Sequence, residues 1–416
     1  MEIDFNILKK NLEKTHQEHL LNFYDELNET EKELLLQQIS NINFEQINTM
    51  YNNLKKFAIP TDEKIEPLDY YIKSNITFSQ KNKLKKIGNT ILKQSSYAVV
   101  TMAGGQGTRL GHKGPKGTFE LNIYPEKKSL FEILAIKINE ANKKYKINIP
   151  WYIMTSEDNN TDTIDYFKKK NYFGLKKETI FFFIQNKLPL ISFNGEILLS
   201  EPYKIAEASN GNGDIFESLL KNNLISQMKK SGIKWIFISG IDNVLADITD
   251  PIFLGLTINN KTEIGSKTIF KKDANSHDWV FCRKNGKPSM LGYQRITEEI
   301  TNSKKNNKYL YREINILCHI FSIEALEKCA QIDLPYHMAS KKNIYINEEG
   351  MKIFPIQPNS YKFEKFIFDS FKYFDNITLL RVNPDEEFAP IKNPEGVYSP
   401  KTATKLYIKQ HQKETL

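Results

Sequence analysis

The feature that most constrains this chain is a short apolar run that empties straight into a glycine-rich turn. Ala98-Val99-Val100 reads as a buried strand, and Gly104-Gly105-Gln106-Gly107 follows it with no spacer. Glycines permit positive φ and let backbone N–H groups come within hydrogen-bonding reach of a ligand that a side chain would block. Arg109, Lys113 and Lys116 then place three cations just behind the turn. A strand, a glycine turn and a cluster of cations together describe a site for a polyanion such as a chain of phosphates.

Two common phosphate loops do not fit. A Walker A loop needs Gly-Lys before Ser or Thr, but Lys116 stands between Pro115 and Gly117. The dinucleotide fingerprint fits at Gly105 and Gly107 and fails at its third glycine, where Leu110 stands. The longer string MAGGQGTRLGHKGPKG instead resembles the signature of the UDP-sugar pyrophosphorylases, most closely the UDP-N-acetylglucosamine pyrophosphorylase members. That resemblance implies a uridylyltransferase that joins UTP to a sugar 1-phosphate with Mg²⁺, on a Rossmann-like central domain.

The rest of the chain accords with an enzyme of that kind. Hydrophobic residues make up 40% and charged residues 26%, ordinary values for a folded globular chain. The net charge of +8 is spread along the sequence, which suits small anionic substrates and points to no nucleic acid. Three cysteines, Cys282, Cys318 and Cys329, lack metal-site spacing and form no disulfide framework. No run approaches the roughly 18 apolar residues of a membrane span, and the N-terminus has no apolar leader, so a cytoplasmic protein without membrane partner is expected. No oligomeric state follows, a monomer being slightly favoured.

Three consecutive regions are expected. Residues 1–93 read as helical, with Thr30-Glu31-Lys32-Glu33 as a capping box and His16 and His19 on a solvated face. Residues 94–340 alternate strands and helices in the manner of an α/β, doubly wound mixed sheet. Residues 341–416 form a C-terminal segment that completes the phosphate site. The resemblance implies that relatives continue beyond it into a small β-rich domain, relative to which this segment is expected to be truncated. Asn194-Gly195 and Asn285-Gly286 each read as the turn of a type I′ hairpin, and Ile215 to Lys229 as one amphipathic helix.

Candidate site residues gather at the carboxyl ends of the expected strands, where open α/β sheets hold ligands. Ala103, Gly104, Gly105, Gln106, Gly107 and Thr108 form the nucleotide loop. The resemblance adds Gln185, within Gln-Asn-Lys-Leu-Pro, and Gly211 as nucleotide contacts, and Asn212 and Asn315 as sugar contacts. Asp242 ends the most apolar strand, Lys234 to Ser239, where a carboxylate suits a hard cation beside phosphates; the resemblance implies the same metal role. Arg109, Lys116, Lys362 and Lys392 are the candidate catalytic cations, Lys362 and Lys392 by resemblance to I-K-x-E-K-F and E-F-S-P-L-K-N segments.

One departure affects the sugar. Where the N-acetylhexosamine members have Val-Val-Glu-Tyr, this chain has Met290-Leu291-Gly292-Tyr293, so Gly292 occupies the place of a sugar-accepting glutamate. N-acetylglucosamine 1-phosphate is the first reading, on the form of the loop. Glucose 1-phosphate or a broader specificity is the alternative, and a sugar-nucleotide-binding relative without turnover is the reading from a different class. No Ser-His-Asp or Cys-His arrangement is present to suggest a covalent intermediate, and direct in-line attack on the α-phosphorus is expected.

Overall fold

The computed structural model describes residues 4–54, 63–271, 278–292, 297–305 and 307–414. Its residues cluster into two compact units, neither continuous in sequence. The larger takes Glu63–Gln185, Ile215–Asp333 and Ile367–Leu416; the smaller takes Met1–Asp62, Asn186–Asp214 and Leu334–Phe366. The three consecutive regions expected from sequence are therefore not how the contacts divide the chain.

The larger unit is built on an eleven-stranded sheet. Its strands are β1 (Ile65–Glu66), β2 (Tyr71–Ile72), β3 (Tyr97–Met102), β4 (Trp151–Thr155), β5 (Ile180–Ile184), β6 (Trp235–Gly240), β7 (Ile264–Phe270), β8 (Val280–Lys284), β9 (Lys287–Leu291), β10 (Glu313–Ser322) and β11 (Thr378–Arg381). The main path runs β2-β11-β7-β10-β6-β3-β4-β5, with β8 and β9 as a hairpin attached through β10 and β1. Every neighbour along that path is parallel except β10, which is antiparallel to both β6 and β7. The expected α/β class with a mixed sheet is what the chain forms.

The central strands are apolar on both faces, as strands covered on both sides must be. All six residues of β3 are buried, as are all five of β4. Trp151 stays satisfied in this core because its indole N–H donates to Thr101 Oγ1 at 2.8 Å. Helices carry the crossovers: Leu130–Tyr145, capped by Ser129, joins β3 to β4, and Glu157–Lys169 joins β4 to β5. From β3 the chain first winds outward to β4 and β5; β6 later docks on the opposite side of β3. The carboxyl ends of β3 and β6 thus lie side by side where the winding reverses, the place such sheets open a crevice.

In the smaller unit the helices Phe5–Thr15 and Glu29–Ser40 share a core with a later segment: Leu8, Leu12, Leu35 and Ile39 pack with Ile197, Leu199 and Ile205. Two glutamines complete the joint by pairing with backbone groups of that segment. Gln17 donates to Gly195 O and accepts from Ile197 N, and Gln38 does the same for Tyr203 O and Ile205 N. This is why these two helices and residues 186–214 belong to one body.

Several local expectations shift. The capping box opening Glu29–Ser40 uses Asn28 and Glu31, two residues before Thr30, because Asn is the stronger cap. His16 is an exposed left-handed C-cap, but His19 is bonded to Ile197 O at 2.7 Å rather than solvated. Asn285 and Gly286 both have positive φ, as a type I′ turn requires, whereas at 194–195 only Gly195 does. The helix expected from Ile215 breaks into Ile215–Lys221 and Leu224–Lys230 at a left-handed Asn223. The aromatic stretch from Tyr361 forms a strand, Ser360–Lys365, followed by a 3-10 segment, Ile367–Tyr373.

Candidate active site

The loop after β3 is a tightly sewn structure. Ala103 N–H donates to Met154 O at 2.8 Å, and the buried Asn159 sends its side-chain amide to Ala103 O at 3.0 Å and Gly105 O at 3.3 Å. Asn159 is free to do so because its Oδ1 caps its own helix, accepting from Ser156 N at 2.8 Å. The loop then doubles back: Gly107 N donates to Gly114 O at 3.0 Å and Lys116 N to Gly105 O at 3.0 Å. This fold-back returns Lys116 to the strand end it left, and leaves Gln106, Thr108 and Arg109 exposed on the outer turn.

Gly104 and Gly107 serve close approach rather than positive φ. Gly104, Gly105 and Gly107 are not left-handed; Gly111 and Gly114, at φ 67° and 119°, make the turns. A side chain at Gly104 would collide with the amide of Gln185, whose backbone N–H is fixed to Thr155 O at 2.9 Å. Gln185 is thus laid across the base of the glycine loop from the end of β5.

The second wall is the loop after β6, and the C-terminal segment docks onto it. Asp242 O accepts from Ile391 N at 3.0 Å. Asn243, buried, donates to Glu387 O at 2.9 Å and accepts from Ala389 N at 2.9 Å. Residues 387–391 are therefore clamped against 242–243, and Lys392 emerges beside the aspartate. Lys116 Nζ lies 3.8 Å from Asp242 Oδ2. Burial lowers the Lys116 pKa; Asp242 opposes the shift, while Lys392 and Arg109 reinforce it. Lys116 thus meets Asp242, Lys392 and Arg109, four charged groups drawn from three separate stretches of sequence.

Beneath this wall lies an ion cluster that sequence reasoning missed. Lys267, 1% exposed, pairs with Glu387 and, at 3.1 Å, with Asp250. Lys73 bridges the same two carboxylates at 2.7 and 2.6 Å. Burial acts against the Lys267 ammonium, yet Asp250, Glu387 and Asp247 hold its pKa well above the ordinary value. Burial likewise acts against the Asp250 carboxylate, but Lys267 and Lys73 outweigh it and hold its pKa far below the usual range. Lys137, half-buried, donates to Val244 O and Ala246 O at 2.7 Å each, and burial of its ammonium lowers its pKa to about 8. No motif announces these residues; they are far apart in sequence and meet only in the fold.

The remaining sequence candidates fall in two places. Asn315 lies in the larger unit at the start of β10, where its Oδ1 accepts from Leu317 N at 2.7 Å and supports a bulge in which Leu317 has φ 54°. Gly292, at the end of β9, is packed under Trp279: a β-carbon there would sit 3.0–3.3 Å from three atoms of the indole ring. Tyr293 lies outside the described residues. Gly211, Asn212 and Lys362 belong to the smaller unit. Gly211 has φ 93° and lies against the Lys365 backbone, which leaves no room for a side chain. The buried Asp214 organises this loop by accepting from Asn210 Nδ2 and from Asn186 N and Nδ2 at 2.7–3.0 Å. Lys362 is not free: its Nζ is 2.7 Å from Glu364 Oε1.

Known proteins resemble this chain over most of its length. The family model described as UTP–glucose-1-phosphate uridylyltransferase matches residues 29–414. The UDP-N-acetylglucosamine pyrophosphorylase of Saccharomyces cerevisiae is 36% identical over 348 residues, 79% of this chain and 72% of that protein. UDP-N-acetylglucosamine diphosphorylase 2 of Arabidopsis thaliana is 32% identical over 97% of this chain and 83% of its own length. Among solved structures, the UDP-N-acetylglucosamine pyrophosphorylase of Trypanosoma brucei superposes with a TM-score of 0.84 at 26% identity, covering 98% of this chain and 85% of that one. The chain belongs to the UTP–glucose-1-phosphate uridylyltransferase family.

Proposed function

We propose that this protein joins UTP to N-acetylglucosamine 1-phosphate, giving UDP-N-acetylglucosamine and pyrophosphate. The observation that carries the reading is the meeting of Lys116 and Asp242, 3.8 Å apart, at the point where the sheet reverses its winding, with Lys392 delivered next to them by the segment whose Ile391 N–H donates to Asp242 O. Transfer between two polyanions needs their repulsion offset and their atoms held in line, and little acid–base chemistry. A phosphate oxygen of the sugar phosphate attacks the α-phosphorus of UTP, the bond from that phosphorus to the bridging oxygen breaks, and pyrophosphate departs with the electron pair. In this reading Arg109 and Lys116 neutralise the departing pyrophosphate and Lys392 the transferring phosphate. The loop from Ala103 to Thr108 and Gln185 hold the nucleotide, and Asn315 the sugar.

The residues present fit Mg²⁺. The Asp242 carboxylate makes no hydrogen bond among the described residues, so its oxygens remain available to a hard cation. Those residues hold no group of three or more His, Cys, Asp or Glu disposed around a metal. A single carboxylate is what a magnesium ion held largely by substrate phosphates requires. Bound there, the ion would supply charge neutralisation at the phosphate oxygens. Glucose 1-phosphate is the second reading, favoured by one observation: Gly292 offers no carboxylate to a sugar hydroxyl. Among the described residues no helix is long and apolar enough to cross a membrane. The three cysteines are buried thiols outside any disulfide, which supports a cytoplasmic enzyme.

Pyrophosphate release from UTP and Mg²⁺ with a panel of sugar 1-phosphates tests the proposal. Preference for the N-acetylated sugars supports it and preference for glucose selects the second reading. UTP binding with no release from any sugar refutes both.

A further inference from the structure

We infer that Trp279 is the residue that selects an acetamido sugar, by laying its indole where the methyl of the acetamido group sits; this rests on the uridylyl-transfer reading of the same site. The β-sheet register brings the relevant residues into one row. Val280 is paired with Ile314 on β10 and with Leu291 on β9, so Trp279 stands directly between Asn315 and Gly292. Directly opposed residues of antiparallel strands share a face of the sheet. A backbone hydrogen bond from Asn315 N to Trp279 O, at 3.4 Å, marks the same alignment. β7 lies along the other edge of β10, so β6 and Trp279 share this one, Ser239 opposite Cys318 and Trp279 opposite Asn315. β6 ends at Gly240, whose β-carbon would lie 3.2 Å from Leu317 Cδ2, and Trp279 takes up the same edge two residues further along β10. The row at the carboxyl edge is therefore Asn315, Trp279, Gly292, just beyond the end of β6 and the loop that carries Asp242. At about 3.4 Å per residue, Trp279 lies roughly 7 Å along the edge from Gly240, within the reach of a sugar attached to the reacting phosphate.

The chemistry of that row suits an acetamido group. Asn315 Oδ1 is already occupied by Leu317 N, so Asn315 presents its Nδ2 donor, which matches a carbonyl acceptor. Next to it lies an aromatic face, which matches a methyl. The ring is held in place from both sides: Phe368 packs against it with centroids 4.8 Å apart, and the backbone of Gly292 lies beneath it. Gly292 is thus the space that Trp279 needs, and the two positions act as a pair.

The experiment compares kcat/KM for N-acetylglucosamine 1-phosphate and glucose 1-phosphate in Trp279→Ala, Trp279→Phe and Gly292→Ala. Trp279→Ala is expected to lose about 10-fold or more with the acetamido sugar, to change by less than about twofold with glucose 1-phosphate, and to leave the KM for UTP unchanged. Trp279→Phe should keep most of the selectivity, and Gly292→Ala, which displaces the ring without removing it, should lower it. An equal loss with both sugars overturns the inference, since that is what a merely structural tryptophan would give. Tryptophan fluorescence separates this from failure of the reaction itself. Trp151 is buried and Trp235 half-buried, so a quench by N-acetylglucosamine 1-phosphate that exceeds the quench by glucose 1-phosphate, and vanishes in Trp279→Phe, supports the assignment even if no pyrophosphate is released. A quench identical in wild type and Trp279→Phe overturns it.

Discussion

Replacing Glu387 by Ala tests the idea that a buried charge cluster holds the catalytic wall together. Glu387 accepts from both Lys267 and Lys73, and Lys267 is 1% exposed. Removing the carboxylate leaves two ammonium groups sharing Asp250 alone. Breaking a buried pair by deleting one partner costs about 3–5 kcal/mol, because the remaining charge stays desolvated. Taking ~2 cal/mol/K of unfolding entropy per residue over a 416-residue chain, a loss of about 4 kcal/mol lowers Tm by roughly 5 °C. Differential scanning calorimetry reads this directly. The double variant Lys267→Met with Glu387→Leu removes one charge of each sign and leaves Lys73 with Asp250. It is expected to regain most of the lost stability, giving a coupling of about 2 kcal/mol or more in the cycle. Because Glu387 lies five residues before Lys392 on a segment clamped by Asn243, the single variant should also lower kcat about 10-fold or more, as small misplacements of a catalytic cation do. A Tm for Glu387→Ala within about 1 °C of wild type would refute the reasoning, since it would mean that water already shares the cluster.

Four further outcomes follow from the same geometry. Asp242→Asn should abolish Mg²⁺-dependent pyrophosphate release while leaving the thermal unfolding profile intact; a wild-type rate would remove Asp242 from the metal role. Lys116→Ala should lower kcat by about 10²–10³, the loss of one preorganised charge at the reacting phosphates, measured under saturating UTP. Gly104→Ala should raise the KM for UTP with little change in the far-ultraviolet circular dichroism, because its β-carbon displaces Gln185 from the loop. Finally, the Asp250 pKa is depressed in the folded state, so its contribution to stability is complete above the ordinary carboxylate range and is lost as pH falls below roughly 4. Urea midpoints between pH 6 and pH 3 should fall less steeply in Asp250→Asn than in wild type.

Part of the site was legible because its signals are local. The glycine loop, Arg109 and Lys116 lie within a few residues of a strand whose apolar run is unmistakable, and Asp242 ends another such strand. The strand assignments held because buried parallel strands must be apolar throughout. Asn159 left only a faint trace, the Ser156-x-x-Asn159 cap at the start of a helix, and its stitching of the loop carbonyls was not foreseeable from that.

What the sequence by itself determined is which side chains sit at strand ends, and hence the class of fold and the presence of a phosphate-binding turn. Tertiary structure alone decided which strand ends are neighbours. Asp242 faces Lys116 because β6 docks parallel to β3, residues 97–102 beside 235–240, and Lys392 joins them because Asn243 ties down a segment nearly 150 residues away. The pairing of Gln17 and Gln38 with the 195–205 backbone, which draws the N-terminal helices into the smaller unit, has the same origin. Periodicity and turn chemistry report interactions within a few residues of chain, whereas sheet register and buried charge pairing are set by contacts whose partners have no fixed spacing in sequence.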